Sequence, residues 1–307
     1  MDVSIIIINY KTSHLIVDCI KSIRELTHGI SYEVIIIDNN SEEDFELKIR
    51  RGASINKDNN YKFIGLPENI GFGRANNEGI KIAKGRNILF LNPDTVLLNN
   101  AIKILSDFLD QHAEAGGCGG NLIDENKKPT YSYRRILPGV FWEFNELMNN
   151  YPQKLIYGKL NHYYNPTSRP ITVGFITGAD LMVKKSVLEK TGYFRDEFFM
   201  YFEETDLCAR IKKSGYRLYS VPTAIIQHLE GKSFDETRAF ENDVKNNYME
   251  LSRSIYYNLN NDTFSKNLSN FLYYCFLRTR SILVKNPIKK KYYKKRLTFF
   301  LNLNPRT

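Results

Sequence analysis

SIIIINYKTS, residues 4–13, is a continuous aliphatic run that breaks into a polar, loop-forming cluster, and the same change occurs in EVIIIDNNS (33–41) and NILFLNPDT (87–95). Unbroken apolar runs are typical of parallel strands covered on both faces, whereas a surface strand alternates apolar and polar residues. In open α/β sheets, ligands bind beyond the carboxyl ends of such strands. We therefore expect Asn9, Tyr10, Asp38, Asn92 and Asp94 to lie along one edge of a sheet and to mark the functional site.

Residues 13–27, between the first two predicted strands, have the apolar spacing of an amphipathic helix, so the chain opens as a β-α-β unit. The turn from the first strand into this helix contains no glycine, and the chain has no GxxxxGK[ST] segment. A dinucleotide-binding fold needs glycines in that turn so that the backbone can approach a pyrophosphate. NAD enzymes and P-loop enzymes are therefore disfavoured.

The composition is that of a folded, soluble protein, with 42% hydrophobic and 25% charged residues in 307. Cys19, Cys118, Cys208 and Cys275 are far apart, which favours neither a zinc site nor a disulfide framework and fits reduced thiols. No stretch approaches the roughly 18 consecutive apolar residues of a membrane span. Asp2 stands where a signal peptide carries positive charge. We expect a protein that starts and stays on the cytoplasmic side.

The formal charge of +9 comes from the C-terminal tail. Eleven of the 43 basic residues follow Asp262 and no acidic residue does, so 1–262 holds 32 basic and 34 acidic residues, a net charge of −2. The tail mixes these charges with aromatic and aliphatic residues. This pattern predicts helices that lie on an anionic lipid surface, or a helix pair that packs on the domain with a solvated basic face. Nucleic-acid binding is not expected, because no recognisable nucleic-acid module accompanies the charge.

Two regions carry acidic residues that suit metal binding or proton transfer. Asp94, in Asn92-Pro93-Asp94, follows an apolar strand where a carboxylate suits Mg²⁺ or Mn²⁺ bridging phosphate oxygens, although the tripeptide is equally typical of a turn that ends a strand. Asp38 has the same two interpretations. Glu203, Glu204 and Asp206 crowd the first turn of a helix predicted to begin after FFMYF (198–202) and to end near Gly215.

The helix macrodipole by itself favours acids in a first turn, and this is our interpretation of Asp206. The apolar residues before Glu203 and Glu204 would desolvate at least one of the two carboxylates and raise its pKa, whereas the helix terminus would lower it. The sequence leaves open which effect dominates. A carboxylate that faces a cleft is suited to accept a proton.

Several segments occur together in an order that is similar to one known family. They are SIIIINYKT, VIIIDNNS, ENIGFGRANNEGI, LFLNPD, TGADLMVKKSVLEKTGYF, FFMYFEETDLCARIKKSGYRLYSVP and Gln227-His228. On these segments, within about 3–235, the chain resembles the family-two inverting glycosyltransferases of GT-A fold. The closest resemblance is to the bacterial rhamnosyltransferase-like branch, which builds O-antigen and capsular polysaccharides.

The resemblance implies an α/β GT-A fold, with a Rossmann-like, mixed, mostly parallel sheet flanked by helices. The catalytic domain would span 1–235, with a donor half of about 1–100 and an acceptor half of about 101–235. The basic, aromatic tail would form a helical C-terminal extension over 236–307.

For the donor, the resemblance implies that Tyr10 and Asp38 contact the nucleoside of the sugar donor and that Gly71, Asn77 and Asn92 help to form the donor pocket. The donor would be dTDP-rhamnose or a UDP-sugar. The acceptor would be a lipid-linked glycan, which places the protein peripherally on the inner face of the plasma membrane.

For the chemistry, Asp94 matches the metal-binding acid of the family's DxD element, whose first Asp is Asn92 here, with Mg²⁺ or Mn²⁺ as the cofactor. His228 matches a histidine that can complete the metal shell, although a histidine that simply ends a strand is an equal interpretation. Glu204 matches the general base, and Glu203 is a possible substitute.

Three other functions are compatible with parts of this sequence. A processive polysaccharide synthase shares the sheet but needs membrane spans and usually a Gln-x-x-Arg-Trp element, in which Trp142 does not lie. A sugar-phosphate nucleotidyltransferase would use the same edge and metal, and a non-catalytic nucleotide-sugar-binding protein would bind the donor without transfer. Aromatic residues over 131–171 suit sugar rings, but aromatic residues are chiefly core material.

Overall fold

The structure is a computed structural model that describes residues 1–41, 44–55, 60–158, 163–229 and 243–303. The contacts divide the chain into two compact units. The first comprises Met1–Arg135, His162–Asp196 and Glu203–Glu230, and the second comprises Ile136–Asn161, Glu197–Phe202 and Gly231–Thr307. The domain limits expected from the sequence stay a prediction.

The first unit contains the strands β1 (Val3–Asn9), β2 (Tyr32–Asp38), β3 (Tyr61–Gly65), β4 (Asn87–Leu91), β5 (Thr95–Leu97), β6 (Ala115–Ile123), β7 (Tyr133–Arg134), β8 (Ile171–Val173), β9 (Phe175–Ile176), β10 (Asp180–Lys184) and β11 (Arg217–His228). In the part of the chain that the structure describes, nine of them form a sheet in the order β3-β2-β1-β4-β10-β6-β11-β5, with β8 paired to β11. Strands β7 and β9 pair separately.

This sheet is mixed and mostly parallel. Strands β1, β2, β3, β4, β6 and β11 run in one direction, while β5, β8 and β10 run in the other. The three aliphatic runs that open the chain form β1, β2 and β4, and every residue of β1 and β4 is buried. The predicted α/β class is confirmed, because burial on both faces is what an unbroken apolar run requires.

The helices of the first unit flank this sheet, namely α1 (Ser13–Leu26), α2 (Phe45–Gly52), α3 (Phe72–Ile82), α4 (Ala101–Gln111), α7 (Lys185–Thr191) and α8 (Glu203–Lys213). Helix α1 buries Ile16, Cys19, Ile20 and Ile23, the face that the sequence predicts. The expected end of α8 is confirmed as well. Gly215 follows with a φ of +90°, a left-handed conformation that favours glycine.

The second unit is helical, with α5 (Val140–Leu147), α6 (Tyr151–Tyr157), α9 (Asp243–Asn260), α10 (Thr263–Leu283) and α11 (Pro287–Leu303). The predicted C-terminal helical region is thus confirmed. Tyr273, Leu277, Leu297 and Phe300 form a buried cluster between α10 and α11. Within the described ranges, no helix is long and apolar enough to span a bilayer.

Candidate active site

Asp38 is held in a fixed orientation at the carboxyl end of β2. Parallel pairing places it opposite Asn9 at the end of β1, and Asn9 Nδ2 donates to Asp38 Oδ1 at 2.6 Å. The Ser41 backbone N–H donates to Asp38 Oδ2 at 2.9 Å, and the Ser41 hydroxyl donates to Oδ1. Tyr10 follows Asn9 and is 46% exposed. The end of β2 therefore presents one oriented carboxylate, and the residue that follows β1 carries an accessible aromatic ring.

The loop before α3 is tied to the same edge by Asn39. Its Nδ2 donates to Asn69 Oδ1 at 2.8 Å, and the Ile70 backbone N–H donates to Asn39 Oδ1 at 3.0 Å. Gly71 then precedes α3 with a φ of +88°. The resemblance implied that Gly71 helps to form the donor pocket, but it implied no role for Asn39 or Asn69. The signal that was available is the pair of asparagines that follows Asp38.

Asn77, which was expected to shape the donor pocket, has an amide bonded to backbone. Its Nδ2 donates to the Phe194 carbonyl at 2.8 Å, and the Phe194 N–H donates to Asn77 Oδ1 at 3.1 Å. The side chain therefore joins α3 to the segment after α7. A direct role in donor binding stays a prediction.

Asp94, in the turn between β4 and β5, lies next to His228, the last residue of β11. Antiparallel pairing of β5 with β11 places His228 opposite Thr95, the residue that follows Asp94. His228 Nε2 lies 3.3 Å from Asp94 Oδ1 and 3.3 Å from Asn92 Nδ2. The Leu229 backbone N–H also donates to the Asp94 carbonyl at 2.9 Å. The structure thus brings together Asp94 and His228, the two residues expected to hold the metal, with Asn92, which was expected in the donor pocket.

These side chains fit a divalent cation that also binds a substrate phosphate. Asp94 offers one carboxylate, His228 offers one imidazole nitrogen, and both side chains are mostly buried, at 13% and 9% exposed. No group of three or more histidine, cysteine, aspartate or glutamate residues that could hold a metal ion occurs in the described residues. Mg²⁺ characteristically takes one or two protein carboxylates and completes its shell with phosphate oxygens and water. Two protein ligands are therefore sufficient here only if the substrate supplies the others.

Asp180, within Thr177-Gly178-Ala179-Asp180-Leu181, is a buried acid for which the sequence alone predicted no role. It begins β10, is fully buried and accepts a hydrogen bond from the Gly120 backbone N–H at 2.5 Å. Burial raises the pKa of this carboxyl to about 7, although the Gly120 bond and His228 act in the opposite direction. Asp180 is thus a second acid near Asp94, on the strand β10 that pairs with β4.

Helix α8 places Glu203 and Glu204 in different surroundings. The chain enters the helix through Tyr201 and Phe202, whose φ angles of 69° and 66° lie in the left-handed region that non-glycine residues avoid. A Cβ built on Gly73 would lie 3.4 Å from the Glu203 Cβ, and Glu203 is only 5% exposed. Glu204 is half-buried and lies against Gly178, where an added Cβ would be 3.8 Å from the Glu204 Cγ.

The two carboxyl groups have raised pKa values. Burial is the main cause for each, and for Glu203 the adjacent Glu204 raises the pKa further. Desolvation therefore outweighs the helix terminus, which resolves the competition that the sequence left open. Glu204 accepts a hydrogen bond from the Thr205 hydroxyl at 3.1 Å. Asp206 instead bonds Arg195 at 3.1 Å and Arg210 at 2.8 Å, which agrees with its interpretation as a structural acid.

A chain of contacts joins Glu204 to the Asp94 cluster. Glu204 lies against Gly178, and the carbonyl of the next residue, Ala179, accepts a hydrogen bond from the Asn92 backbone N–H at 3.0 Å. Asn92 contacts His228, which contacts Asp94. The carboxyl group of Glu204 and the candidate cation site are therefore linked through the segment that precedes β10. The individual roles of these residues stay predictions.

The model of the family described as Glycosyl transferase family 2 matches residues 4–192. Among curated proteins, the chain is similar to an N-acetylglucosaminyl-diphospho-decaprenol L-rhamnosyltransferase of Mycobacterium tuberculosis, with 27% identity over 203 residues that cover 59% of this chain and 62% of that protein. It is also similar to the rhamnosyltransferase WbbL of Escherichia coli K12, with 28% identity over 60% of this chain and 70% of that protein. The chain thus spans less than two thirds of the length of the mycobacterial relative.

Among solved structures, the fold is similar to that of a mannosyltransferase from Pyrobaculum calidifontis in complex with GDP-Man and Mn²⁺. The TM-score is 0.60 at 13% identity, and the match covers 99% of this chain and 88% of the other. Identity this low bears on the fold alone. The predicted GT-A-like architecture is confirmed by this likeness together with the mixed sheet and its flanking helices.

Proposed function

Because the chain belongs to glycosyl transferase family 2, we propose that it is an inverting glycosyltransferase that moves a sugar from a nucleotide-diphosphate donor to a lipid-linked glycan. The observation that carries the proposal is the contact chain from Glu204 through Asn92 to His228 and Asp94. Rhamnosyltransferase activity in the names of both relatives supports rhamnose as the sugar. dTDP-rhamnose is therefore the first donor to test, followed by UDP-sugars.

In the proposed reaction, Glu204 accepts the proton of an acceptor hydroxyl while that oxygen attacks the anomeric carbon of the donor. The bond from this carbon to the nucleotide diphosphate breaks on the opposite face, and the diphosphate leaves with the electron pair. The anomeric configuration is inverted. The raised pKa of Glu204 suits this role, because a general base works best when its pKa lies near the working pH.

Asp94 and His228 would hold Mg²⁺ or Mn²⁺, with Asn92 alongside. Such a cation, when bound, stabilises the negative charge that develops on a departing diphosphate. Asp38 presents its oriented carboxylate to the nucleoside, and the exposed ring of Tyr10 is placed to pack against it. This division puts nucleoside recognition at β1 and β2 and diphosphate recognition at β4.

Binding is tested first, by thermal shift with UDP-, dTDP- and GDP-sugars in the presence and absence of Mn²⁺. A ligand at 100 times its Kd stabilises the folded state by about 2.7 kcal/mol, so a bound donor should raise the Tm measurably. The anomeric configuration of the transferred sugar is then read by NMR. The proposal is contradicted if no nucleotide sugar raises the Tm, or if the transferred sugar retains its anomeric configuration. Diphosphate release from a nucleoside triphosphate and a sugar phosphate would indicate a nucleotidyltransferase instead.

We also propose that helix α10 associates with an anionic membrane surface. Its inner face buries Tyr273 and Leu277, while Phe264, Phe271 and Ile282 recur on the opposite face and are 75%, 58% and 55% exposed. Lys289, Lys291 and Lys294 of α11 are exposed, and no acid follows Asp262 in the sequence. Exposed aromatic residues in a tail whose charges are all positive match an anionic lipid interface, to which each near-surface charge contributes about 1 kcal/mol.

The test is co-sedimentation with vesicles of phosphatidylglycerol and phosphatidylcholine. Deleting 263–307 is unsuitable, because it would remove the buried cluster of the second unit. Phe264→Ser with Phe271→Ser should instead abolish binding and leave the fold intact. Val244→Ser with Leu251→Ser, two exposed positions on α9, is the matched control that should keep binding. Equal binding by both double variants contradicts a role for α10.

A further inference from the structure

Two tyrosines and an arginine form an accessible cluster beside β7. The rings of Tyr131 and Tyr163 lie 4.9 Å apart between centroids, and the guanidinium carbon of Arg134 lies 4.4 Å from the centre of the Tyr131 ring. Tyr131 remains 47% exposed despite both contacts. By contrast, Tyr133, which lies between Tyr131 and Arg134 in the sequence, is only 1% exposed. Tyr133 therefore belongs to the core, whereas Tyr131 and Tyr163 reach the surface.

The cluster is built on fixed backbone. The Ser132 N–H donates to the Tyr163 carbonyl at 2.8 Å, and the buried Tyr133 hydroxyl donates to the Tyr164 carbonyl at 2.7 Å. These bonds hold the segment at 163–164 against β7. The backbone that carries Tyr131 and Tyr163 is therefore ordered without a ligand, which lowers the entropy cost of binding one.

The same backbone leads directly to the proposed base. The Thr177 hydroxyl donates to the Tyr131 carbonyl at 3.2 Å, and the Thr177 N–H donates to the Ser132 carbonyl at 3.2 Å. The next residue is Gly178, against which Glu204 lies. Two residues, Gly178 and Thr177, thus link Glu204 to the backbone that carries the Tyr131 ring. Asp38, the proposed nucleoside contact, lies on β2, which β1 and β4 separate from β10, the strand that follows Gly178.

We propose that Tyr131, Tyr163 and Arg134 form an acceptor subsite that binds a pyranose ring carrying a phosphate or diphosphate. The inference rests on the proposed function, because it uses Glu204 as the proton acceptor for that sugar. A pyranose presents C–H groups that pack on an aromatic face. A guanidinium stacked on a ring keeps its N–H donors in the plane, where they can bind a phosphate in a bidentate manner.

Binding is measured by saturation-transfer NMR with N-acetylglucosamine 1-phosphate, N-acetylglucosamine and inorganic phosphate, and transfer is measured with N-acetylglucosaminyl diphosphate on a farnesyl chain. Tyr131→Ala should raise the acceptor KM about 3- to 10-fold and leave the donor KM and the Tm unchanged. Tyr131→Phe should match the wild type, because it keeps the ring. Tyr193→Ala, at a tyrosine of the same unit that is 37% exposed, is the matched control.

Arg134→Gln should weaken binding of the phosphate-bearing sugar about tenfold and leave binding of N-acetylglucosamine unchanged. Unchanged acceptor KM and NMR contacts in both Tyr131→Ala and Arg134→Gln would overturn the subsite, as would a wild type that shows no NMR contact with the sugar phosphate. These outcomes differ from failure of the proposed function, which appears as a wild type that binds no nucleotide sugar.

Discussion

Replacing the proposed base by its amide tests the mechanism most directly. Glu204→Gln keeps the side-chain volume beside Gly178, and its amide oxygen can still accept the Thr205 hydroxyl. The substitution removes only the ability to take a proton. General-base catalysis contributes about 10²- to 10⁴-fold, so kcat should fall by that factor, which corresponds to about 2.7–5.5 kcal/mol of barrier.

Glu203→Gln is the matched control, since it makes the same chemical change one position earlier. Glu203 is buried beside Gly73, so its substitution should leave kcat within about threefold of the wild type, the range of a change away from the reacting groups. Donor affinity, measured by isothermal titration with dTDP-rhamnose, should be unchanged in Glu204→Gln. Steady-state assay of nucleoside diphosphate release gives kcat for both variants. Near-normal turnover in Glu204→Gln refutes the assignment, and a loss confined to Glu203→Gln would transfer the role to Glu203.

Three further predictions concern the metal, the pH dependence of stability and the donor loop. Asp94→Ala should weaken Mn²⁺ affinity in the presence of a nucleoside diphosphate by about tenfold or more, and an unchanged calorimetric isotherm would move the metal site elsewhere. The folded pKa of Glu203 lies above its ordinary value of 4.5, so the folded state keeps a proton that the unfolded state releases, and stability falls as pH rises above 4.5. Glu203→Gln removes this loss, so its free energy of unfolding relative to that of the wild type, measured by chemical denaturation, should increase from pH 4.5 to pH 7 by about 1.4 kcal/mol for each unit of the pKa shift; a constant difference contradicts the raised pKa. Asn39→Ala breaks the bonds that hold Asn69 and Ile70 and should cost about 1–3 kcal/mol in chemical denaturation, together with a higher donor KM; Asn69→Asp, which keeps an oxygen acceptor, should cost less.

The C-terminal helices illustrate why composition alone left two interpretations of the tail. Helical periodicity can be read from the spacing of Tyr273 and Leu277, and charge can be counted, but neither shows which aromatic residues find a partner. In the structure Tyr273 packs with Phe300, while Phe271, two positions earlier, is 58% exposed. The structure shows a packed helix pair and an outward apolar face on the same helix, and lipid association of that face stays a prediction.

The sequence by itself determined the elements whose cause is local. Uninterrupted aliphatic runs specified β1, β2 and β4, and the polar residues that end those runs marked the sheet edge where Asp38 and Asp94 lie. These features depend on neighbours within a few positions, so a linear pattern carries them. The resemblance to a family then supplied expected roles for single positions.

Only the tertiary structure decided which distant residues meet. His228 lies beside Asp94 because β11 pairs antiparallel with β5 in one particular register, and a shift of one residue would turn the imidazole to the other face of the sheet. Glu204, rather than Glu203, adjoins Gly178 because of how α8 packs on the loop before β10. Strand order and helix packing arise from the summed burial of the whole core, and no window of sequence contains that sum.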